Sequence, residues 1–287
     1  MTDVRPRFSA PAAFFWLFRL NRTMMVAVIT GAAAFAAGAG SARSLWMTLA
    51  GWCLAVGGFS LDFYADRDLD REGPRAEMRH NPLTDGSLSP RTGLIFSWTS
   101  IAVSLVITAL VAPGALLPWS GVLAVVVALA LHIFETPLSR ALTLGGLQAL
   151  YLLLGAAAEH LSPGLGLLAG MFFFAMLGGR GMTDIRDFPQ DSATRIQTLP
   201  NRYGVKRTAQ FTGVCLVVAY ALSLAAYLTG EFSAIYLYLD WVFIAVGLIC
   251  AWLFVRRPSP RLAHVLTLVC MMGLGLLITL AMVLGSR

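Results

Sequence analysis

The longest stretch free of ionisable side chains runs from residue 92 to residue 131, 40 consecutive positions without Asp, Glu, Lys, Arg or His. Two further uncharged blocks cover 23–42 and 44–61. A helix needs roughly 20 apolar residues to cross a bilayer, so these blocks exclude a single soluble core and predict a polytopic membrane protein. The composition agrees: 57% of the 287 residues are hydrophobic and 13% are charged, against about 25% charged in soluble domains. The mean hydropathy is +0.73.

Hydropathy windows predict nine spans, near 23–42, 44–61, 92–111, 115–134, 141–158, 161–179, 208–230, 235–255 and 262–285. The 92–131 block must hold two of them. Ala112-Pro113-Gly114 breaks it, and 40 helical residues would be twice the necessary length. With nine spans and a cytoplasmic N-terminus, 19 of the 21 cations fall in inner segments, leaving only Arg43 and Arg287 outside. Positive charge collects on the cytoplasmic side of membrane proteins, so the split predicts an inner N-terminus and an outer C-terminus. Topology thus accounts for the basic balance, and no nucleic-acid partner is expected. The four cysteines, Cys53, Cys215, Cys250 and Cys270, lie inside apolar spans without CxxC spacing and read as free core thiols. No cleavable signal peptide is expected, because the first apolar block is of spanning length.

Ten of the 15 acids lie in two inner loops or the helix ends that feed them. Acids contribute little to topology, so their clustering calls for another cause. Asp62, Asp66 and Asp70 recur at i, i+4 and i+8, along one helix face. Asp184, Asp187 and Asp191 follow at i, i+3 and i+7, again on one face, with Pro189 expected to end or kink that helix. Like charges at such spacing repel, and divalent cations relieve the repulsion. Hard carboxylate oxygens suit Mg²⁺, which binds through one or two carboxylates, waters and substrate phosphate oxygens. Two acidic ridges on the same side of an apolar bundle could hold a metal–diphosphate bridge, with a hydrocarbon tail in the interior. Arg67, Arg79, Arg186, Lys206 and Arg207 are nearby cations able to neutralise a departing diphosphate. A cation-coupled transporter would instead carry its acids near mid-helix.

These residues resemble the UbiA superfamily of intramembrane prenyltransferases. Asp62-xxx-Asp66-xxx-Asp70 is similar to its NxxxDxxxD motif, and the segment from Asn81 to Ser89 resembles the RPLxSGxxS that follows. Asp184-xx-Asp187-xxx-Asp191, then Thr198-Leu199-Pro200 and Tyr203-Gly204, is similar to DxxDxxxD followed by TLPxxxG. Asn21-Arg22-Thr23 stands where the family usually has Arg-Pro. The resemblance covers essentially the whole chain and implies one domain, 1–287, of nine transmembrane helices around a central cavity opening near the cytoplasmic side.

By the same resemblance the activity is Mg²⁺-dependent transfer of an isoprenyl chain from a prenyl diphosphate to a lipophilic acceptor, often aromatic. A terpene cyclase of the same superfamily, ionising the donor without an acceptor, is the alternative. The resemblance implies Asp66, Asp70, Asp187 and Asp191 as metal ligands, joined or backed by Asp62 and Asp184, with Asp62, Asp66 and Asp187 as the residues essential to catalysis. Diphosphate contacts are expected from Arg22, Arg67, Arg79 and Lys206. The chain is expected in a membrane of the bacterial inner-membrane type. It departs from the family pattern at Asp62 (Asn), Asn81 (Arg), Ser87 (Arg or Lys), and Gln190 and Arg195 (both Gly), with Arg79 expected to compensate for Asn81.

Outside the motifs, His132, His160 and His264 read as ordinary interfacial residues, and His80 and Glu135 as loop or helix-end groups. Asp240, inside an apolar span, is the acid without an assigned place.

Overall fold

The computed structural model describes residues 9–72, 81–133, 136–193 and 197–286. The described residues form an all-helical membrane protein. Its helices are α1 (Ala10–Phe18), α2 (Leu20–Ala36), α3 (Ser41–Glu72), α4 (Pro90–Val111), α5 (Leu116–Ala130), α6 (Pro137–Ala156), α7 (Pro163–Ala193), α8 (Leu199–Tyr203), α9 (Val205–Leu228), α10 (Ala234–Arg256), α11 (Pro260–Thr267) and α12 (Gly275–Gly285). Eight spans among the described residues are long and apolar enough to cross a bilayer. Pro11–Phe18 and Arg22–Ala36, bent by 54° to each other, make a ninth if they count as one.

Local chemistry starts three of these helices, α4, α6 and α11, where the sequence changes character. The hydroxyl of Ser89 accepts from Thr92 N–H at 3.0 Å, with Pro90 in the first turn of α4. Thr136 caps Ser139 N–H at 3.1 Å before Pro137, and Ser259 caps Leu262 N–H at 3.2 Å before Pro260. A hydroxyl cap followed by proline supplies one orphan donor with a partner and removes another. The break expected at Ala112-Pro113-Gly114 is present as a 3₁₀ turn, Pro113–Ala115.

Among the described residues the two largest apolar clusters form two lobes, one built mainly from α3, α4 and α5, the other from α7 and α9 to α12, and α2 and α6 contribute to both. Ile29 and Ala33 face one lobe while Val26 and Ala34 face the other; Leu152 and Tyr151 divide in the same way. The two shared helices lie in close contact. Thr30 Oγ1 donates to the Tyr151 carbonyl at 3.2 Å, and a β-carbon on Gly155 would stand 2.0 Å from the Thr30 carbonyl. Small residues at such crossings let membrane helices approach closely. In the first lobe, Trp119 Nε1 donates to Ser104 Oγ (3.0 Å), which donates to the Ala50 carbonyl (2.8 Å), linking α5, α4 and α3. Large apolar side chains such as Leu110, Leu117, Trp241 and Trp252 stand exposed, as a lipid-facing surface requires.

Two helices run well past the spans expected from hydropathy. α3 has 32 residues and α7 has 31, about 48 and 46 Å at 1.5 Å per residue, against a hydrocarbon core of about 30 Å. The excess carries both acidic motifs out of the apolar region as unbroken helix. Pro189 does not end α7, which continues to Ala193.

Asp240 is fully buried between α9 and α10. Ser223 Oγ stands 2.5 Å from Asp240 Oδ1 and 2.9 Å from the Tyr236 hydroxyl, and that hydroxyl also bonds the Ser223 carbonyl at 3.1 Å. The acid therefore belongs to a clasp between neighbouring helices. Met171 and Phe172 are core residues, with Phe173 and Phe174 packed against it, and His160 and His264 are exposed. His80 and Glu135 lie outside the described residues.

Candidate active site at the acidic helix ends

On α3, Asp66 is 9% exposed and Asp62 is half-buried. Arg19, at the break between α1 and α2, brings Nη1 to 3.9 Å from Asp62 Oδ2. Its guanidinium also lies over the rings of Phe63 and Phe59, 4.2 and 5.4 Å from their centroids. This placement holds a charge against an aromatic face while keeping it beside a carboxylate. His132, in the loop after α5, stands with Nε2 3.4 Å from Asp66 Oδ1. Asp70 lies in the last turns of the same helix. Arg67 pairs with its neighbour Asp68 (3.2 Å) and stacks on Tyr64 (4.7 Å). Together with Asp68, Leu83, Thr84 and Ser89 it lines a recess of about 510 Å³. Arg79 lies outside the described residues.

The segment entering α4 is pinned to the first motif by Asn81. Its side-chain amide donates to the Phe63 carbonyl at 3.0 Å, and its Oδ1 accepts Leu83 N–H at 3.0 Å. Asn81 is 1% exposed, so these bonds satisfy both ends of a buried amide. An arginine side chain could not make the second bond, because it has no acceptor.

On α7, Asp184 is 3% exposed and held from two sides. Arg180, one turn earlier, reaches it at 2.9 Å, and Leu199 N–H donates to it at 3.2 Å. That second bond ties the Thr198-Leu199-Pro200 segment, and with it α8, to the acidic helix. Asp187 accepts two hydrogen bonds from the adjacent Arg186, at 2.7 and 2.8 Å, the forked geometry in which arginine holds a carboxylate best. Asp191 is 2% exposed, and its charge acts on Asp184 together with that of Asp187. Lys206 and Arg207 stand exposed in the first turn of α9, which Gly204 introduces at φ 84°.

Arg22 relates the two ridges. It opens α2, its N–H bonded to the Arg19 carbonyl at 2.8 Å, and it interacts electrostatically with Asp62 of α3 and with Arg180 and Arg186 of α7. Four arginines, Arg19, Arg22, Arg180 and Arg186, therefore gather beside acids of both motifs. Of these, Arg19 and Arg180 entered the sequence reading only as topology charges. The i, i+4 spacing of Arg180 and Asp184 was a usable signal; nothing local marks Arg19 or His132, whose positions are set by tertiary packing.

The donor set is all carboxylate oxygen. Among the described residues no three His, Cys, Asp or Glu side chains converge as a ready metal cage. The residues fit a hard cation that takes one or two carboxylates and completes its shell with water and phosphate oxygens, which is the habit of Mg²⁺.

Two long helices thus end in acidic ridges with arginines beside them, an arrangement suited to a polyanion held through cations. Residues 24–274 match the UbiA prenyltransferase family. The chain belongs to that family and is an enzyme of the prenyltransferase class. A digeranylgeranylglyceryl phosphate synthase of Natronomonas pharaonis is 28% identical over 230 residues, 77% of this chain and 79% of that protein. A solved structure described as a digeranylgeranylglyceryl phosphate synthase superposes with a TM-score of 0.78 at 18% identity, covering 96% of this chain and 98% of the other. A UbiA homologue from Archaeoglobus fulgidus, solved bound to DMAPP and Mg²⁺, superposes with a TM-score of 0.71 at 17% identity, covering 92% and 98%.

Proposed function

We propose that this chain, read as one domain, catalyses Mg²⁺-dependent transfer of an isoprenyl chain from a prenyl diphosphate to a lipophilic acceptor within the membrane. The observation that carries this reading is the gathering of arginines on acids of both motifs, Arg19 beside Asp62, Arg180 on Asp184 and Arg186 on Asp187, with Arg22 near enough to Asp62, Arg180 and Arg186 to act on them electrostatically. A diphosphate at that point meets both ridges at once. The A. fulgidus homologue, solved with a prenyl diphosphate and Mg²⁺, supports the donor class and the metal.

Asp62, Asp66 and Asp70 on one side, and Asp184, Asp187 and Asp191 on the other, would hold the metal, which when bound supplies positive charge to the diphosphate oxygens. Arg22 and Lys206 add fixed positive charge where negative charge develops on the leaving group, with Arg67 and Arg79 on the first-motif side. Arg19 and Arg180 join them through Asp62 and Asp184. The apolar interior takes the isoprenyl tail and excludes water from the allylic cation as the C1–O bond breaks. An acceptor oxygen or carbon then bonds to C1, and its proton leaves to the departing diphosphate. The relative from N. pharaonis and the first solved structure favour a prenylated glycerol-phosphate acceptor, ahead of the aromatic ring first expected. The charge distribution supports an N-terminus in the cytoplasm, a C-terminus outside and, in a bacterium, residence in the inner membrane.

The test uses purified protein in nanodiscs with Mg²⁺ and prenyl diphosphates from C10 to C20. Diphosphate release is followed with and without pooled glycerol-phosphate and aromatic acceptors. Release that requires an acceptor, abolished by EDTA, is the expected result, and the product mass names the acceptor. Release without one, yielding a cyclic hydrocarbon, would replace transfer by cyclisation.

A further inference from the structure

Among the described residues only two non-glycine residues have positive φ, Arg19 at 43° and His132 at 54°. A side chain there is crowded by the following carbonyl, so such residues persist only where their surroundings impose them. Both face the first acidic ridge: Arg19 faces Asp62 at 3.9 Å, and His132 faces Asp66 at 3.4 Å.

The backbone at His132 is a Schellman closure of α5. Ile133 N–H bonds the Ala128 carbonyl at 3.1 Å, and His132 N–H bonds the Leu129 carbonyl at 3.0 Å. The left-handed position of that motif is the one glycine fills most readily. Helix termination therefore accounts for the backbone and gives no reason for the imidazole. The imidazole itself has its Nε2 buried, without a completed hydrogen bond, and turned to the Asp66 carboxylate. A small closing movement brings the pair to hydrogen-bond distance.

We infer that His132 is a positioning residue for the Asp66 carboxylate: by donating from Nε2 to Oδ1 it sets the orientation in which the first ridge meets the metal and diphosphate. This rests on the proposed function, which makes Asp66 a ligand. Partners of ligating groups in other metal sites have such an effect, and their loss costs about 10- to 100-fold in metal affinity or activity.

The test compares full-length wild type, His132→Gly and His132→Gln in nanodiscs. Each is measured for the Mg²⁺ concentration giving half-maximal donor consumption, for kcat and KM, and for its melting temperature. A second readout, independent of turnover, is the Mg²⁺-dependent rise in melting temperature with an unreactive thio-analogue of geranyl diphosphate. His132→Gly is expected to melt at or above the wild-type temperature, because glycine suits the backbone. Both Mg²⁺ half-points are expected to rise about 10- to 100-fold. His132→Gln, which restores an N–H donor at similar reach, is expected to recover most of that loss. Unchanged Mg²⁺ half-points in His132→Gly would overturn the inference. So would equal impairment of both variants, which would mean that an N–H donor here is not what matters, or a lower melting temperature of His132→Gly with metal dependence intact, which would point to the cap alone. A wild type that consumes no donor with Mg²⁺ would instead overturn the proposed function.

Discussion

The six motif acids differ in what already holds them, and substitutions should separate them. Asp66 and Asp187 are proposed to act on the metal and diphosphate, so Asp66→Ala and Asp187→Ala should each lower kcat on the order of 10³-fold. The melting temperature of Asp187→Ala should remain near that of wild type, since among the described residues Asp187 is gripped only by its neighbour Arg186. Near-normal turnover in both variants would remove the ridges from the mechanism. Asp184 has a second task, because its carboxylate accepts Leu199 N–H and pairs with Arg180 while 97% buried. Asp184→Ala strands both partners and should cost about 1–3 kcal/mol of stability, read as a fall in melting temperature that Asp187→Ala does not share. Asp62 stands where the family motif has Asn, and its contact with Arg19 is long at 3.9 Å. Asp62→Asn should therefore keep activity within about tenfold of wild type, since a long, half-exposed pair contributes little, and Asp62→Ala should do worse in the same assay. Equal loss in the two would make the extra charge essential in this chain.

At the scale of helices, fit depends on a few tight joints. Gly155 is one: a β-carbon there would lie 2.0 Å from the Thr30 carbonyl, with backbone rather than a flexible side chain in the way. Gly155→Ala must force α2 and α6 apart, at a cost of about 1–3 kcal/mol or more, visible as lowered thermal stability in detergent or nanodiscs. Gly146, with nothing near its added β-carbon, is the matched control. An unchanged melting temperature in Gly155→Ala would mean that the joint is loose. How much of this could be read beforehand follows from which signals are local. The apolar blocks, the break at Pro113 and the shared faces of Asp62, Asp66 and Asp70 are periodicities along the chain, and they were legible. The ends of α3 and α7 were not, because hydropathy falls at the first charges while the helix continues to Glu72 and Ala193. The first span was expected over 23–42, yet α2 runs from Leu20 to Ala36 and an unforeseen helix, α1, precedes it across a break at Arg19, which the rings of Phe59 and Phe63 and the Asp62 carboxylate hold from another helix. The π-helical turn at Leu268–Leu274 likewise interrupts an apolar run that shows no breaker before Gly273. Asn81 looked like a missing arginine, and only the carbonyl of Phe63 reveals it as the anchor of the loop.

For the molecule as a whole, the sidedness of charge and of chemistry should coincide. Nineteen of 21 cations occupy segments assigned to one side, and the same side receives the ends of α3, α5 and α7, which carry Asp66, His132 and Asp187. The opposite side receives the start of α3 and the end of α6, where Arg43 forms an ion pair with Glu159. These two sets of residues give a direct test in intact cells, because the four native cysteines all lie within helical spans. His160→Cys, exposed beside Glu159, should react with a membrane-impermeant maleimide added outside. Ser192→Cys, exposed near the end of α7, should react only after the membrane is permeabilised. The unsubstituted protein supplies the background from the native thiols. The reverse pattern would invert the topology and put the acidic ridges outside. There a reaction that consumes prenyl diphosphate would be cut off from a cytoplasmic donor. Equal labelling of both positions from outside would mean that α7 does not cross, and the reading of α3 and α7 as paired carriers of one site would fall with it.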